Sequence, residues 1–335
     1  MYAKTPENSA LTGTNSALVE FFIEFKISPK FDPFGLDKGP LVKDTADAKN
    51  TLGQISTYIS FQMGAQYRTH IFFVLIIGDY ARLLRWDRSG VVVSERIKYN
   101  KQRQLFAFLE LFNAATPEIQ GRDKSVSKPS KDEKEDAWRT CHEFDTDNTL
   151  LVIEFPKEGQ RASNRYIISS PRSRICLPIG RMTRTSIAYD VQKKKRVFMK
   201  DSWRVKAHGC RPEGEVYEIL NRGHARNIPK CVEFCDVGDE AYHQTRSQTF
   251  AASLHGKQFN THRHHRLILD TVGEDLDNFK RSFDLVKAIR AALIGTKFSL
   301  TFWAFVYLLF SSSPGCSRSW CPSLRHQHGK YPHNT

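Results

Sequence analysis

Phe72–Ile77 is an unbroken apolar run of strand length, and Gly78-Asp79 follows it directly. Gly-Asp is a hairpin-turn dipeptide, because glycine reaches the positive φ that a tight turn requires. Tyr80–Trp86 then resumes as a strand, and Asp87-Arg88-Ser89-Gly90 turns it into Val91–Ser94. Two antiparallel strands need further cover to be stable, and the flanking segments offer it. Upstream, Val19–Lys26 alternates around large apolar residues and reads as a strand, broken by Pro29, Pro33 and Gly35. Leu52, Ile55, Ile59 and Met63 recur at helical steps, as do Leu105, Phe108, Leu109 and Phe112 further on. These elements predict a compact α+β unit over 15–115, preceded by a disordered N-terminus at 1–14.

Apolar periodicity then fades. From Thr116 to about Asp136 the chain is rich in Lys, Asp, Glu, Ser and Pro, so 116–147 reads as a charged linker. Limited proteolysis is expected to cut between Gly121 and Glu135 and to leave the front unit folded. Short strands return at Leu150–Phe155, Tyr166–Ser169, Ser186–Tyr189 and Val197–Met199. Pro212 and Glu213 open a helix carrying Val216, Ile219 and Leu220 on one face, since proline and acids suit a first helical turn. Strands at Cys231–Phe234 and Leu267–Leu269 follow, then a helix through Leu285, Ile289 and Leu293.

A chain of 335 residues, 40% of them hydrophobic, suits two domains with their own cores. The net charge of +14 raises a nucleic-acid partner, but the charges form no single stripe. They gather at Lys193–Lys195, at Arg263 and Arg266, and along Lys124–Lys134 among acids, which predicts solvated turns and a polar linker. The cysteines Cys141, Cys176, Cys210, Cys231, Cys235, Cys316 and Cys321 lack zinc-site spacing and read as reduced thiols. That places the chain in the cytoplasm or nucleus.

The chemistry concentrates in two words. Gly180-Arg181-Met182-Thr183-Arg184 lies between two strands, and Arg196-Val197-Phe198-Met199-Lys200 is a strand ending in lysine. A glycine loop lets backbone approach phosphates, and a strand-borne lysine can meet the α- and β-phosphates if a helix glutamate holds it. Glu213 and Glu215 are the candidates for that glutamate.

Several words in order identify a resemblance. Arg85-Trp86-Asp87-Arg88-Ser89-Gly90, Gly180-Arg181 with Thr183-Arg184, Phe198–Arg204, Pro212–Tyr217 and Arg266–Asp270 resemble the fungal-type protein kinase family over roughly 18–294. The resemblance implies an N-terminal α/β domain and then a protein-kinase-like N-lobe, an antiparallel sheet plus a helix, over 148–295. An incomplete C-lobe is expected after it. The resemblance implies that Gly180, Arg181, Thr183, Lys200 and Glu215 grip ATP, with Glu215 the first candidate for the lysine's partner and Glu213 the second. It also implies that Leu269 backs the adenine pocket and that Asp270 and Val272 present hinge backbone to adenine. ATP and magnesium are the implied cofactors, and a protein hydroxyl the implied acceptor, its protein not readable. Met182 stands where a second glycine would close the loop, and nucleotide binding is expected to be weak or absent. No catalytic or metal-binding residue is assigned, because neither a D-F-G nor an H-R-D-like catalytic loop occurs. An inactive kinase-family chain is expected, with a pseudokinase-like interaction module or a degenerate nuclease-like front domain as alternatives.

The remaining features carry blander expectations. His262, His264 and His265 suggest a metal, but with no carboxylate beside them in sequence they read as a solvated hairpin. Ile23-Glu24-Phe25-Lys26, followed by a helix bearing Gln54, is similar to a metal-dependent nuclease core without its upstream aspartate. Phe298–Phe310 is uncharged but too short for a membrane span, so no membrane partner is expected, and the scattered charges give no nucleic-acid partner either. Read one base later, codons for Trp320–Tyr331 can restore most of H-R-D-I-S-x-G-N-I, though not its arginine. Residues 296–335 are therefore expected to be aberrant sequence from intron read-through.

Overall fold

A computed structural model describes residues 15–35, 41–144, 149–156, 163–171, 177–250, 259–274 and 276–295. The expectations for residues 1–14 and 296–335, including Phe298–Phe310, lie outside these. The chain divides into two compact units, one of residues 1–221 and 229–274, the other of 222–228 and 275–335. The first unit holds both sheets.

The front sheet has the order β1-β2-β3-β4, built from β1 (Phe22–Lys26), β2 (Ile71–Ile77), β3 (Tyr80–Asp87) and β4 (Gly90–Val93). β1 runs parallel to β2, and α1 (Ala46–Ala65) makes the crossover between them. Thr45 starts α1 by accepting a hydrogen bond from the Ala48 N–H. Ile55, Ile59 and Met63 then pack on Phe73, Leu75 and Ile77. The other face of β2 turns Phe72 to Phe108 and Phe112 of α2 (Gln104–Ala114), with ring centroids 5.5 and 5.8 Å apart. Cover on both faces is why β2 carries no polar residue. The hairpin turn is as expected, with Gly78 at φ +54°.

The second sheet has the order β10-β11-β9-β8-β7-β6-β5 and is antiparallel throughout. Its strands are β5 (Val126–Ser127), β6 (Leu150–Phe155), β7 (Asn164–Ser169), β8 (Arg184–Asp190), β9 (Lys195–Val205), β10 (Cys231–Asp236) and β11 (His262–Leu269). α3 (Lys131–Thr140) covers Leu150, Val152 and Ile167 through Ala137 and Cys141. α4 (Glu213–Arg222) lies between β9 and β10 in sequence, and its Gly214 sits against the Phe234 ring of β10.

The segment read as a linker is corrected here. It contributes β5 to the sheet edge and α3 to the core, and Asp123 within it is buried. A capping box between Ser130 and Glu133 starts α3. The solvated-turn reading of Arg263 and Arg266 also fails, because both are buried on β11. Arg266 is wholly enclosed because Asp123 and Asp201 each lie 2.7 Å from its guanidinium.

In the second unit, Asn227 donates to the Ala291 carbonyl at 3.0 Å within a helix over 282–295. That helix exposes Phe283, Val286, Ile289 and Leu293. Among the described residues no helix is long and apolar enough to cross a membrane.

Candidate functional site

Strand alternation gives β9 two chemical faces. Phe198, Lys200 and Ser202 share one face, while Met199, Asp201 and Trp203 share the other.

On the first face, Lys200 Nζ donates to Glu213 Oε1 at 2.7 Å, both side chains about one-quarter exposed. The structure therefore pairs Lys200 with Glu213 and not with Glu215, the first candidate. Gly214 explains the choice: an added Cβ there would come within 1.9 Å of Phe234, so only glycine lets α4 lie this close to β10. That contact fixes which side of the helix meets β9. The Arg181 guanidinium lies 3.9 Å from the second oxygen of Glu213, so two cations flank one carboxylate.

The glycine loop is held by the front sheet. Gly180, at φ +102°, donates its N–H to the Arg88 carbonyl at 2.8 Å, and Arg88 donates to the Pro178 carbonyl at 3.2 Å. Met182 takes a positive φ of 36°, costly for any residue but glycine. Its side chain packs against the front core, which offsets that strain. The missing second glycine thus has a structural reason: the side chain there anchors the loop. Thr183 is exposed beside it. Arg184 reaches the Met63 and Gln66 carbonyls at the end of α1 and lies over the Tyr67 ring.

Leu269 is buried at the end of β11. The Asp270 N–H donates to the Lys230 carbonyl and its carboxylate accepts from the Lys230 N–H, each at 3.0 Å. This tie fixes the start of the loop that carries Val272.

The second face is polar and buried. His264 Nε2 lies 3.0 Å from both Asp201 oxygens, and its ring stacks on Trp203 with centroids 4.8 Å apart. His243, from the helical turn Glu240–His243, places Nδ1 3.1 Å from His264 Nδ1. Asp123 accepts from Arg266 through Oδ2 and from the Ser125 N–H through Oδ1. Burial acts to raise the Asp201 pKa, but His264 and Arg266 hold the carboxyl far below its usual range. Asp123 is likewise lowered against burial, by Arg266, His264 and His243. Burial pushes His243 down to about 4, which keeps its ring neutral.

The histidine reading is therefore overturned. His262, His264 and His265 are all buried, and His265 Nδ1 lies 2.9 Å from Asp236. The carboxylates facing His264 and His265 come from distant segments, which the local sequence does not reveal. Among the described residues, Asp123, His243 and His264 form the one group of three potential metal donors. Asp123 and His243 were not singled out from the sequence, and only the register of the folded sheets brings them together.

Glu24, Lys26 and Gln54 do meet, with Lys26 Nζ 2.9 Å from Glu24 and 2.7 Å from Gln54 Oε1. The amine is satisfied within the trio, and the described residues supply no group of three metal donors there.

A family model described as fungal protein kinase matches residues 39–301. No curated protein and no solved structure matches the chain.

Proposed function

Because the chain belongs to the fungal protein kinase family, we propose that β7–β11 and α4 form a kinase-type lobe that grips a nucleotide. The observation that carries this reading is the Lys200–Glu213 ion pair at 2.7 Å, seated between a strand and a glycine-containing helix start. In such a lobe the lysine needs a carboxylate to hold its amine toward the α- and β-phosphates. Arg181 adds a second positive charge beside the same carboxylate. Leu269 backs the adenine, the Asp270 carbonyl accepts from its amino group, and the Val272 N–H donates to its ring. The chain's own residues would hold and orient the nucleotide.

The phosphate side of this site fits ATP. The magnesium side does not, because the sequence contains no D-F-G or H-R-D. The described metal-donor group is on the opposite face of β9 from Lys200. The proposed activity is therefore weak nucleotide binding without phosphoryl transfer by this chain alone. Calorimetric titration with Mg-ATP is expected to give a dissociation constant on the order of 1 mM, equivalent to about −4 kcal/mol. Lys200→Ala should abolish it, and radiolabel transfer to a generic protein substrate should be undetectable. Binding that survives Lys200→Ala, or measurable transfer, would refute the proposal. A second reading, a protein-interaction module, is favoured by the exposed Phe283, Val286, Ile289 and Leu293 of the helix over 282–295.

A further inference from the structure

We propose that Asp123, His243 and His264 bind one transition-metal ion of the zinc class. This site is separate from the nucleotide site and acts as a staple across the second face of the large sheet. Three segments far apart in sequence supply the donors: the stretch before β5, the turn Glu240–His243, and β11. All three residues are buried, and their candidate donor atoms lie within 4.8 Å of one another.

The argument begins with two imidazole nitrogens. The carboxylate of Asp201 faces His264 Nε2, so that nitrogen carries the proton and donates it. His264 Nδ1 is then left with a lone pair, aimed at His243 Nδ1 3.1 Å away. Either the Nδ1–H tautomer of His243 donates into that lone pair, or a cation lies between the two nitrogens and both are ligands. A metal about 2.1 Å from each nitrogen would subtend roughly 95°, near the tetrahedral angle that zinc favours.

The third donor is close. Asp123 Oδ2 lies 3.8 Å from His264 Nδ1, so a shift of about half an ångström would bring it to ligand spacing. A cavity of about 10 Å³, room for one water, borders Asp123 and His264 and is lined also by Arg68, Arg88 and Arg184. The outer groups also suit a metal. Asp201 behind His264 makes the carboxylate–histidine arrangement that orients metal-bound imidazoles. Trp203 fixes the His264 ring by stacking. Gly238 leaves His243 its place, since a Cβ there would fall 2.7 Å from the ring.

The competing occupant is a proton shared between the two rings, and a spectroscopic probe separates the two. Cobalt(II) is added to the full untagged chain after chelator treatment, and its visible d–d absorption is followed to saturation. One equivalent should produce tetrahedral bands with no thiolate charge-transfer band, and zinc should displace it. His243→Gln should remove the bands, and Asp201→Asn should weaken cobalt affinity roughly 10–100-fold, as for other groups behind a metal ligand. Should either variant fail to fold, the stoichiometry and spectrum of the unsubstituted chain still decide. No tetrahedral bands at one equivalent would overturn the proposal in favour of the shared proton. Bands that persist in His243→Gln, or that carry thiolate absorption, would overturn it by placing the ion elsewhere.

Discussion

Gly214→Ala tests how closely α4 must approach the sheet to hold Lys200. The added Cβ would lie 1.9 Å from Phe234 Cγ and 2.4 Å from each Cδ, against about 3.5–4.0 Å for an ordinary carbon contact. Helix or ring must therefore retreat by about 1.5 Å. Overpacking of this kind costs typically 1–3 kcal/mol. Replacing glycine within a helix returns up to about 1 kcal/mol, less at the second residue of α4. The net expectation is a loss of about 1–2 kcal/mol in urea unfolding. If the helix retreats, the 2.7 Å bond between Lys200 and Glu213 opens beyond ion-pair distance, and Mg-ATP affinity falls with it. Removing the obstructing ring should relieve the strain, so Gly214→Ala with Phe234→Ala should show a coupling of about 0.5–3 kcal/mol relative to the two single variants. A Gly214→Ala chain as stable as the unsubstituted one, with unchanged nucleotide affinity, would refute the reasoning.

Asp87→Ala should destabilise the first unit by roughly 1–3 kcal/mol, because the Arg246 and Ser247 N–H groups would lose the carboxylate they donate to. Hydrogen exchange should speed up at residues 245–247, and unchanged exchange there would argue against the contact. His70 gives a pH test, since burial holds its pKa down to about 3 and its Nε2–H is held by the Ile119 carbonyl at 3.0 Å. Above pH 6.5 neither state is protonated at this ring. As pH falls from 6.5 toward 3 only the unfolded chain takes the proton, so stability should fall by about 1.4 kcal/mol per pH unit. Thermal melts between pH 7.5 and 5 should show a shallower slope in His70→Gln than in the unsubstituted chain, and equal slopes would contradict the assignment. Proteolysis between Gly121 and Glu135, expected from the sequence to be fast, should be slow because Asp123 and α3 are packed in place; early cuts there would return the segment to a linker.

Apolar pattern made the front sheet and the two helices beside it legible, because Phe72–Ile77 and the spacing of Ile55, Ile59 and Met63 depend on near neighbours. The order of the glycine loop, the Lys200 strand and the α4 helix was legible for the same reason. What sequence pattern missed was polar and long-range. β11 reads as solvated histidines and arginines until Asp201 and Asp123, some 65 and 143 residues from Arg266, are brought against it. Asp123 in turn sits in a charged stretch whose burial depends on that same arginine. One local signal was available there: Ser130 three residues before Glu133 is a helix-start pattern within the supposed linker. The choice between Glu213 and Glu215 could not be read at all, since it turns on how near α4 comes to Phe234.

The most direct test of the account compares Mg-ATP binding by the unsubstituted chain, Glu213→Gln and Glu215→Gln in parallel calorimetric titrations. For a part-exposed ion pair worth up to about 1 kcal/mol, Glu213→Gln should weaken binding by about fivefold, and Glu215→Gln should leave it unchanged. Equal effects of the two substitutions, or a loss confined to Glu215→Gln, would contradict the claim that Lys200 and Glu213 form the nucleotide grip.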